Sequence, residues 1–292
     1  MTCDVLSDSK TQCFPGDSEL ATRMRAFNWS QTPLGAVETW PQSLCTSVST
    51  CLQSRFPMLI MWGCELVMLY NDAYRSILGS RKHPQALGQR GRECWREVWE
   101  VIGPRLESVL TQGEATWFED ALFLVDRNGY LEECYFTLSH SPILDETGSV
   151  GGIFMAVTET TKHVLSERRL STLSELAAQT AGLTTVEAAC SASIAVLAKN
   201  PEDPLFVLLY SVDPATGQAS LTVSTGLTPG TALSPLEVNC AEAETDLSRC
   251  FKQVLETGGS QTFDLTERID WSSQSLAPIQ GKRTRFVTIT KS

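Results

Sequence analysis

Three long segments of β-type sequence follow one another between residues 115 and 158, and each is separated from the next by a tight-turn signal. The segments span 115–125, 130–141 and 150–158. Asn128 and Gly129 separate the first two, and an Asp-Glu-Thr-Gly turn at 145–148 separates the second from the third. Asn-Gly is the strongest short signal for a β-hairpin, because the favoured two-residue turn needs positive φ at both central positions. We therefore predict three consecutive antiparallel strands.

Two shorter apolar runs precede these strands. They span 58–62 and 66–70 and flank a Gly-Cys-Glu turn, which predicts a further hairpin. Helical spacing of apolar residues predicts one helix over 41–53 and another over 95–110, with Gly113 ending the second. Two strands, several helices and three strands in that order predict an α+β fold in which helices cover one five-stranded antiparallel sheet.

The length of 292 residues is enough for about two domains, each with its own core. Residues 1–25 are polar and weakly patterned, so we predict a mobile leader there. Residues 161–183 are predicted to be helical, with a stripe of Leu173, Leu176, Thr180 and Leu183 at helical spacing. Two interpretations of this stripe remain open: it pairs with a second copy of itself, or it packs on a neighbouring domain.

Composition excludes several classes of partner. The net charge of −11 disfavours binding to nucleic acid, because phosphate backbones repel an acidic surface. The longest apolar runs are far shorter than the roughly 20 residues of a membrane-spanning helix, so no membrane span is predicted. The first residues lack a secretory signal pattern, which predicts a cytoplasmic protein. The ten cysteines are scattered and form no CxxC pair, so we expect most of them to be reduced core residues, and no metal site is predicted.

Several motifs in order resemble a known family. They are NWSQTPLGAVETWPQSL at 28–44, SRFPMLIMWG at 54–63, LVMLYNDAYRSILG at 66–79, KHPQALGQRG at 82–91, RNGYLEECYFTLSHSPI at 127–143 and VTETT at 157–161. Together they resemble the N-terminal PAS domain of cyanobacterial and other bacterial sensor histidine kinases, and the residues after them resemble the beginning of a GAF domain. The resemblance implies a PAS domain over 26–160, a helical linker over 161–183 and a partial GAF-like domain over 184–292.

The resemblance also bears on enzymatic activity. The full-length proteins that the chain resembles are histidine kinases, yet the sequence has no HExxxP phosphoacceptor motif and no glycine-rich ATP-lid pattern. No catalytic residue is therefore assigned, and whether the chain is an enzyme stays open. Adjacent residues of a strand point to opposite faces, so the Ser139, His140 and Ser141 triplet cannot itself form a hydrolase triad.

The resemblance implies a cavity between the sheet and its helices. Ten residues are candidates for a ligand site in it: Trp62, Tyr70, Tyr74, Cys94, Trp95, Trp99, Trp117, Tyr135, His140 and Phe154. Several indoles and phenols in one pocket hold a planar ligand by stacking and a few hydrogen bonds. The alternative is that these aromatic side chains are ordinary core, which is the commoner role of such residues.

The sequence carries weak signals for flavin and for haem, and the cofactor stays unknown. Cys94 loosely resembles the flavin-adduct cysteine of light-oxygen-voltage domains, but Trp95, Arg96 and Glu97 follow it where those domains have Arg-Phe-Leu-Gln, so a structural thiol is favoured over flavin. His83 and His140 are candidate haem ligands without a supporting signature, and a structural role is favoured for both.

The preferred functional hypothesis is a cytoplasmic signal-transduction sensor module of sensor histidine kinase type. A ligand, a partner or a redox change at the sheet would shift the population of two packings, and the helix at 161–183 would carry the change through a homodimer. The alternative is a protein-interaction and dimerisation scaffold that binds no small ligand.

Overall fold

The structure is a computed structural model that describes residues 13–200, 206–213, 215–231, 233–242, 245–258, 261–264 and 286–289. The chain divides into two compact units, Met1–Val164 and Leu165–Ser292. Each unit is described by itself below.

The first unit contains one five-stranded antiparallel sheet, as predicted. Its strands are β1 (Met58–Trp62), β2 (Val67–Tyr70), β3 (Thr116–Asp126), β4 (Leu131–Leu144) and β5 (Val150–Glu159). The strand order is β2-β1-β5-β4-β3, so the last strand in sequence lies at the centre of the sheet. The three predicted hairpins, β1–β2, β3–β4 and β4–β5, are present, and the α+β fold class is confirmed.

Five α-helices accompany the sheet in the described part of this unit. They are α1 (Glu19–Ala26), α2 (Gln42–Gln53), α3 (Arg75–Lys82), α4 (Gly91–Cys94) and α5 (Trp99–Gln112). The cap of α5 is Gly113 in the left-handed conformation, as predicted. Asn71 precedes a 3₁₀ turn, accepts a hydrogen bond from Tyr74 N, and donates to three carbonyl groups at the end of α2 and the loop after it.

The register of the strands divides their side chains between two faces. One row of paired residues crosses all five strands, and its members share one face, here called the inner face. In order, each opposite the next, they are Tyr70, Leu59, Met155, His140 and Thr116. Helix α5 packs on this face, since Arg105 lies 4.2 Å from the ring centroid of Phe118, next to His140.

The opposite, outer face is covered only in part. Helix α2 packs against β1 and β2, and the three central residues of β1 have no exposed surface, so both sides of that strand are buried. On β3 the outer face is open to solvent at Trp117, Leu122 and Leu124. The sheet therefore has one covered face and one half-covered face.

The N-terminal segment differs from the prediction of a mobile leader over 1–25. Phe14 is completely buried in the core of the first unit, and Leu20 and Met24 bury one side of α1. Ser18 caps the helix by accepting a hydrogen bond from Ala21 N. The prediction is wrong for residues 13–25, because a few well-spaced apolar residues anchor an otherwise polar segment. Residues 1–12 lie outside the described part of the chain.

The cysteine prediction also needs a correction. Cys13 and Cys45 form a disulfide that joins the N-terminal segment to α2. The other cysteines in the described part of the chain are free, and four of those seven are buried. The expectation of reduced core thiols thus fails for one pair, whose partners are 32 residues apart in sequence.

Helix α6 (Thr161–Thr180) begins after β5, and the second unit begins within this helix, at Leu165. The second unit also contains α7 (Val186–Leu197), β6 (Val207–Asp213), β7 (Gln218–Thr225), β8 (Glu237–Asn239) and α8 (Asp246–Thr257). A separate hairpin pairs β9 (Gln261–Asp264) with β10 (Phe286–Ile289). Strands β6, β7 and β8 form one antiparallel sheet. The assignment of 184–292 to a partial GAF-like domain stays a prediction.

Candidate ligand site on the inner face of the sheet

The ten residues predicted to line a ligand site do not surround one space. Tyr70 and His140 lie on the inner face of the sheet, whereas Trp62, Trp117, Tyr135 and Phe154 lie on its outer face. The other four, Tyr74, Cys94, Trp95 and Trp99, belong to the segments between β2 and β3. Trp117 is 65% exposed and contributes nothing to an enclosed pocket. The inner face is therefore the candidate site.

His140 is the polar centre of the inner face. It lies on β4, is 1% exposed, and has its Nδ1 atom 3.1 Å from the Thr116 hydroxyl on β3. The ring of Phe118 lies 5.7 Å away. Within the described residues, no hydrogen-bond partner reaches His140 Nε2. One nitrogen of a deeply buried imidazole is thus hydrogen-bonded, and the other is not.

Burial sets the protonation state of this imidazole. Burial, with a smaller contribution from the positive charge of Arg105, lowers the pKa of His140 to about 4. The ring is therefore neutral at pH 7, with one nitrogen a donor and the other an acceptor. Leaving a buried polar atom unpaired costs about 1–3 kcal/mol, so a complementary ligand atom at Nε2 would recover that free energy.

Tyr70 forms the other end of the inner-face row and is part of a hydrogen-bonded chain. Its hydroxyl lies 3.0 Å from His83 Nδ1, and His83 Nε2 lies 3.3 Å from Glu19 Oε1 on α1. Burial raises the pKa of Tyr70 above its usual range. Both ring nitrogens of His83 are engaged, which contradicts a role as haem ligand. These hydrogen-bonded side chains link the inner face to the N-terminal helix α1. The sequence did not predict this connection.

The surroundings of Cys94 are those of a structural thiol. It is buried, and burial, offset in part by the charge of Lys82, raises the pKa of its thiol to about 12. Lys82 donates a hydrogen bond of 2.6 Å to the Cys94 carbonyl oxygen, forms an ion pair with Glu97, and lies 4.2 Å from the ring centroid of Trp95. The thiol is therefore protonated at neutral pH, and the residues around it are fixed by mutual contacts.

A cluster of charged residues joins the sheet to the helix that leaves it. Arg127, in the β3–β4 turn, donates two hydrogen bonds of 2.8 Å to the two carboxylate oxygens of Glu159 and one of 3.0 Å to Glu132. Thr161, the first residue of α6, donates to Glu159 and accepts a hydrogen bond from Tyr135 N. We call these residues the exit junction, because they fix the start of α6 against β4 and β5.

The exit junction also reaches helix α3. The Arg127 carbonyl oxygen accepts a hydrogen bond from Arg81 N on α3. Gly79 makes this approach feasible, because a Cβ atom there would lie 2.5 Å from that carbonyl oxygen, and its φ of +67° is readily adopted only by glycine. Burial raises the pKa of Glu159, but the hydrogen bond from Arg127 lowers it, and the pKa lies below its usual value. The sequence gives no signal for the Arg127–Glu159 pair, because the two residues are 32 positions apart.

Two adjoining clefts lie away from the inner face. The larger, of about 480 Å³, and the smaller, of about 170 Å³, share Pro41, Trp62, Gly63 and Cys64. Of the ten predicted site residues, Trp62 lines both clefts and the other nine line neither. In the described part of the chain no group of three or more potential ligands could hold a metal ion, and no helix there is long and apolar enough to cross a membrane.

Comparisons with known proteins give matches among solved structures only. No family profile and no curated protein matches the chain. Among solved structures, a sensory box sensor histidine kinase from Vibrio cholerae is 16% identical over 37% of this chain and 80% of that chain, with a TM-score of 0.28. The PAS domain of BvgS from Bordetella pertussis is 20% identical over 43% and 92%, with a TM-score of 0.32. The LOV protein of Rhodobacter sphaeroides is 13% identical over 53% and 90%, with a TM-score of 0.35.

Proposed function

We propose that the chain is a cytoplasmic signal-transduction sensor module of the PAS type, related to the sensory part of a histidine kinase. The motifs at 28–161 support this, together with the five-stranded sheet that has helices on its inner face. The ligand is a small molecule that binds on the inner face. The C-terminal unit is a partial GAF-like domain that follows the helical linker.

The unpaired Nε2 atom of His140 is the observation that carries this proposal. A buried polar atom without a partner is rare in native proteins, and it marks a place where a water molecule or a ligand supplies the missing bond. The neighbouring Phe118 ring offers a flat apolar surface, and Arg105 lies over that ring. A planar ligand with one polar edge atom directed at His140 fits this combination.

The exit junction supports a route for the signal. A ligand at His140 contacts β4, whose Tyr135 N donates to Thr161 Oγ1 at the start of α6. A small change in the strand would shift the balance between two packings of Glu159 with Arg127, and α6 would move with Glu159. Leu170 and Leu173 on α6 are exposed, which supports pairing of this helix with its copy in a homodimer.

The alternative is a dimerisation scaffold without a small ligand. It is favoured by the packing of Tyr74, Cys94 and Trp95, which are buried in the same continuous core as the sheet. It is also favoured by exposed apolar side chains on the outer face, Trp117, Leu122 and Leu124. In this alternative the missing partner of His140 Nε2 is an ordered water molecule.

Native mass spectrometry of the full chain separates the two proposals. We expect a bound small molecule in the wild-type protein and its loss, by about tenfold or more in occupancy, in the His140→Leu variant. Ser139→Ala is the matched control, because Ser139 is the neighbouring residue of β4 and lies on the outer face. A dimer without any adduct in all three proteins would support the scaffold and contradict the sensor.

A further inference from the structure

The disulfide between Cys13 and Cys45 is placed where a reducing thiol reaches one of its two sulfurs more readily than the other. Cys13 is 2% exposed, whereas Cys45, on α2, is only half-buried. Thiol–disulfide exchange begins with attack of a thiolate on an accessible sulfur. We therefore expect attack at the Cys45 sulfur, with Cys13 as the leaving group.

The bridge anchors a segment that has its own small aromatic core. Phe14 lies next to Cys13, with its ring centroid 6.2 Å from that of Trp29 and 5.6 Å from that of Trp40. Arg25 donates hydrogen bonds of 2.6 Å and 2.7 Å to the carbonyl oxygens of Phe14 and Gly16. These contacts and the disulfide fold the segment back on itself and hold it against α2.

Besides its buried apolar side chains, the same segment makes polar contacts with the 3₁₀ turn and the helix α3 that follow β2. Leu20 N donates to Asp72 Oδ1 and Oδ2 at 3.4 Å, and Glu19 pairs with Arg75 and with His83. The Glu19 and Arg75 side chains are each more than one-third exposed, and such pairs contribute little to stability. The disulfide thus adds a covalent restraint on this segment to the burial of Phe14, Leu20 and Met24.

We propose that Cys13 and Cys45 form a reversible redox site at which a dithiol reductant releases α1 from the sheet. One thiolate of the dithiol attacks Cys45 Sγ, the bond between Cys45 and Cys13 breaks, and Cys13 leaves as a thiolate that takes up a proton. The second thiol of the reductant then attacks the reductant sulfur of the mixed disulfide. The bond from that sulfur to Cys45 breaks, and Cys45 leaves as a thiolate that takes up a proton. The dithiol becomes a cyclic disulfide, and the protein gains two electrons and two protons.

Release of α1 has a consequence for the inner face. Glu19 leaves with the helix, so His83 loses its contact at Nε2, and the imidazole that contacts Tyr70 becomes free to turn. The redox site itself does not depend on the proposed sensor function. It is a property of two cysteines and the segment between them, and its test requires no ligand.

The test uses the full chain in mixtures of reduced and oxidised glutathione, with peptide mapping under non-reducing conditions. We expect a Cys13–Cys45 linkage whose occupancy rises and falls with the glutathione ratio. In dithiothreitol, we expect hydrogen exchange of the α1 amides to become about tenfold faster or more, while α5 stays unchanged as an internal reference. A linkage that stays fully formed at every ratio, or is never formed, overturns the proposal, and so does equal exchange in both states.

Matched variants exclude an effect of thiols elsewhere. Cys45→Ser removes the attacked sulfur, and we expect its α1 exchange to be fast with or without dithiothreitol. Cys64→Ser alters an exposed free cysteine and is expected to respond to dithiothreitol like the wild-type protein. A Cys45→Ser protein that exchanges as slowly as the oxidised wild-type protein would show that the bridge does not hold α1, which also contradicts the proposal.

Discussion

The two faces of the five-stranded sheet carry the same kinds of strand residue but differ in what covers them. On the inner face, Leu138 and His140 are buried beneath α5, and polar atoms there are paired or deeply enclosed. On the outer face, α2 covers β1, while Leu122 and Trp117 on β3 are exposed. The difference separates two roles: the inner face offers a defined polar atom in an apolar surrounding, and the outer face offers an open surface.

The largest expected effect is a difference between the two faces in how much a leucine substitution lowers the free energy of unfolding. Leu138 is 7% exposed on the inner face, and Leu122 is 50% exposed on the outer face of the neighbouring strand. Leu138→Ala should lower the free energy of unfolding by about 2–5 kcal/mol, because it removes buried methyl groups and leaves a cavity. Leu122→Ala should change it by less than about 0.5 kcal/mol. Urea unfolding followed by tryptophan fluorescence measures both, and equal costs would refute the assignment of faces.

The next effect concerns pH and the buried imidazole. The pKa of His140 falls from an ordinary value of 6.5 to about 4 on folding. The unfolded chain therefore takes up a proton at a pH where the folded chain does not, so stability is greatest above pH 6.5 and is lost as the pH falls toward 4. Between pH 7 and pH 5 the loss should be about 2 kcal/mol.

Two variants show whether this pH dependence comes from His140. His140→Gln cannot titrate, so its stability should change about 2 kcal/mol less than that of the wild-type protein between pH 7 and pH 5. His163→Gln is the matched control for replacing a histidine at an exposed position, because His163 lies exposed on α6. A slope that survives in His140→Gln would mean that the imidazole is not enclosed as described.

Local features of the fold could be predicted from the sequence, because turns and caps depend on neighbouring residues. Asn128 with Gly129 indicated the β3–β4 hairpin, and Gly113 indicated the end of α5. The position of β5 between β1 and β4 depends on pairing between distant strands, and turn chemistry carries no information about it. The disulfide and the exit junction were missed for the same reason, since each joins residues 32 positions apart.

The candidate site was predicted less well than the fold. Alternation along a strand gives relative faces, so His140 and Tyr135 could be separated, but no rule says which face the helices cover. On β3 the alternation itself breaks, because a bulge lies between Phe118 and Ala121, and Asp120 there has a φ of +47°. As a result Phe118 and Phe123 both lie on the inner face although they are five residues apart.

The smallest effect on stability is expected at Trp117, where the open part of the outer face can be detected directly. Trp117 is 65% exposed, whereas Trp95 is 5% exposed and lies beneath Lys82. Trp117→Phe should change the free energy of unfolding by less than about 0.5 kcal/mol yet remove a large part of the fluorescence that acrylamide quenches. Trp95→Phe should leave the quenched part nearly intact. If, at low protein concentration, acrylamide quenches both variants as it quenches the wild-type protein, a second chain or another segment covers β3. The outer face would then not be an open surface.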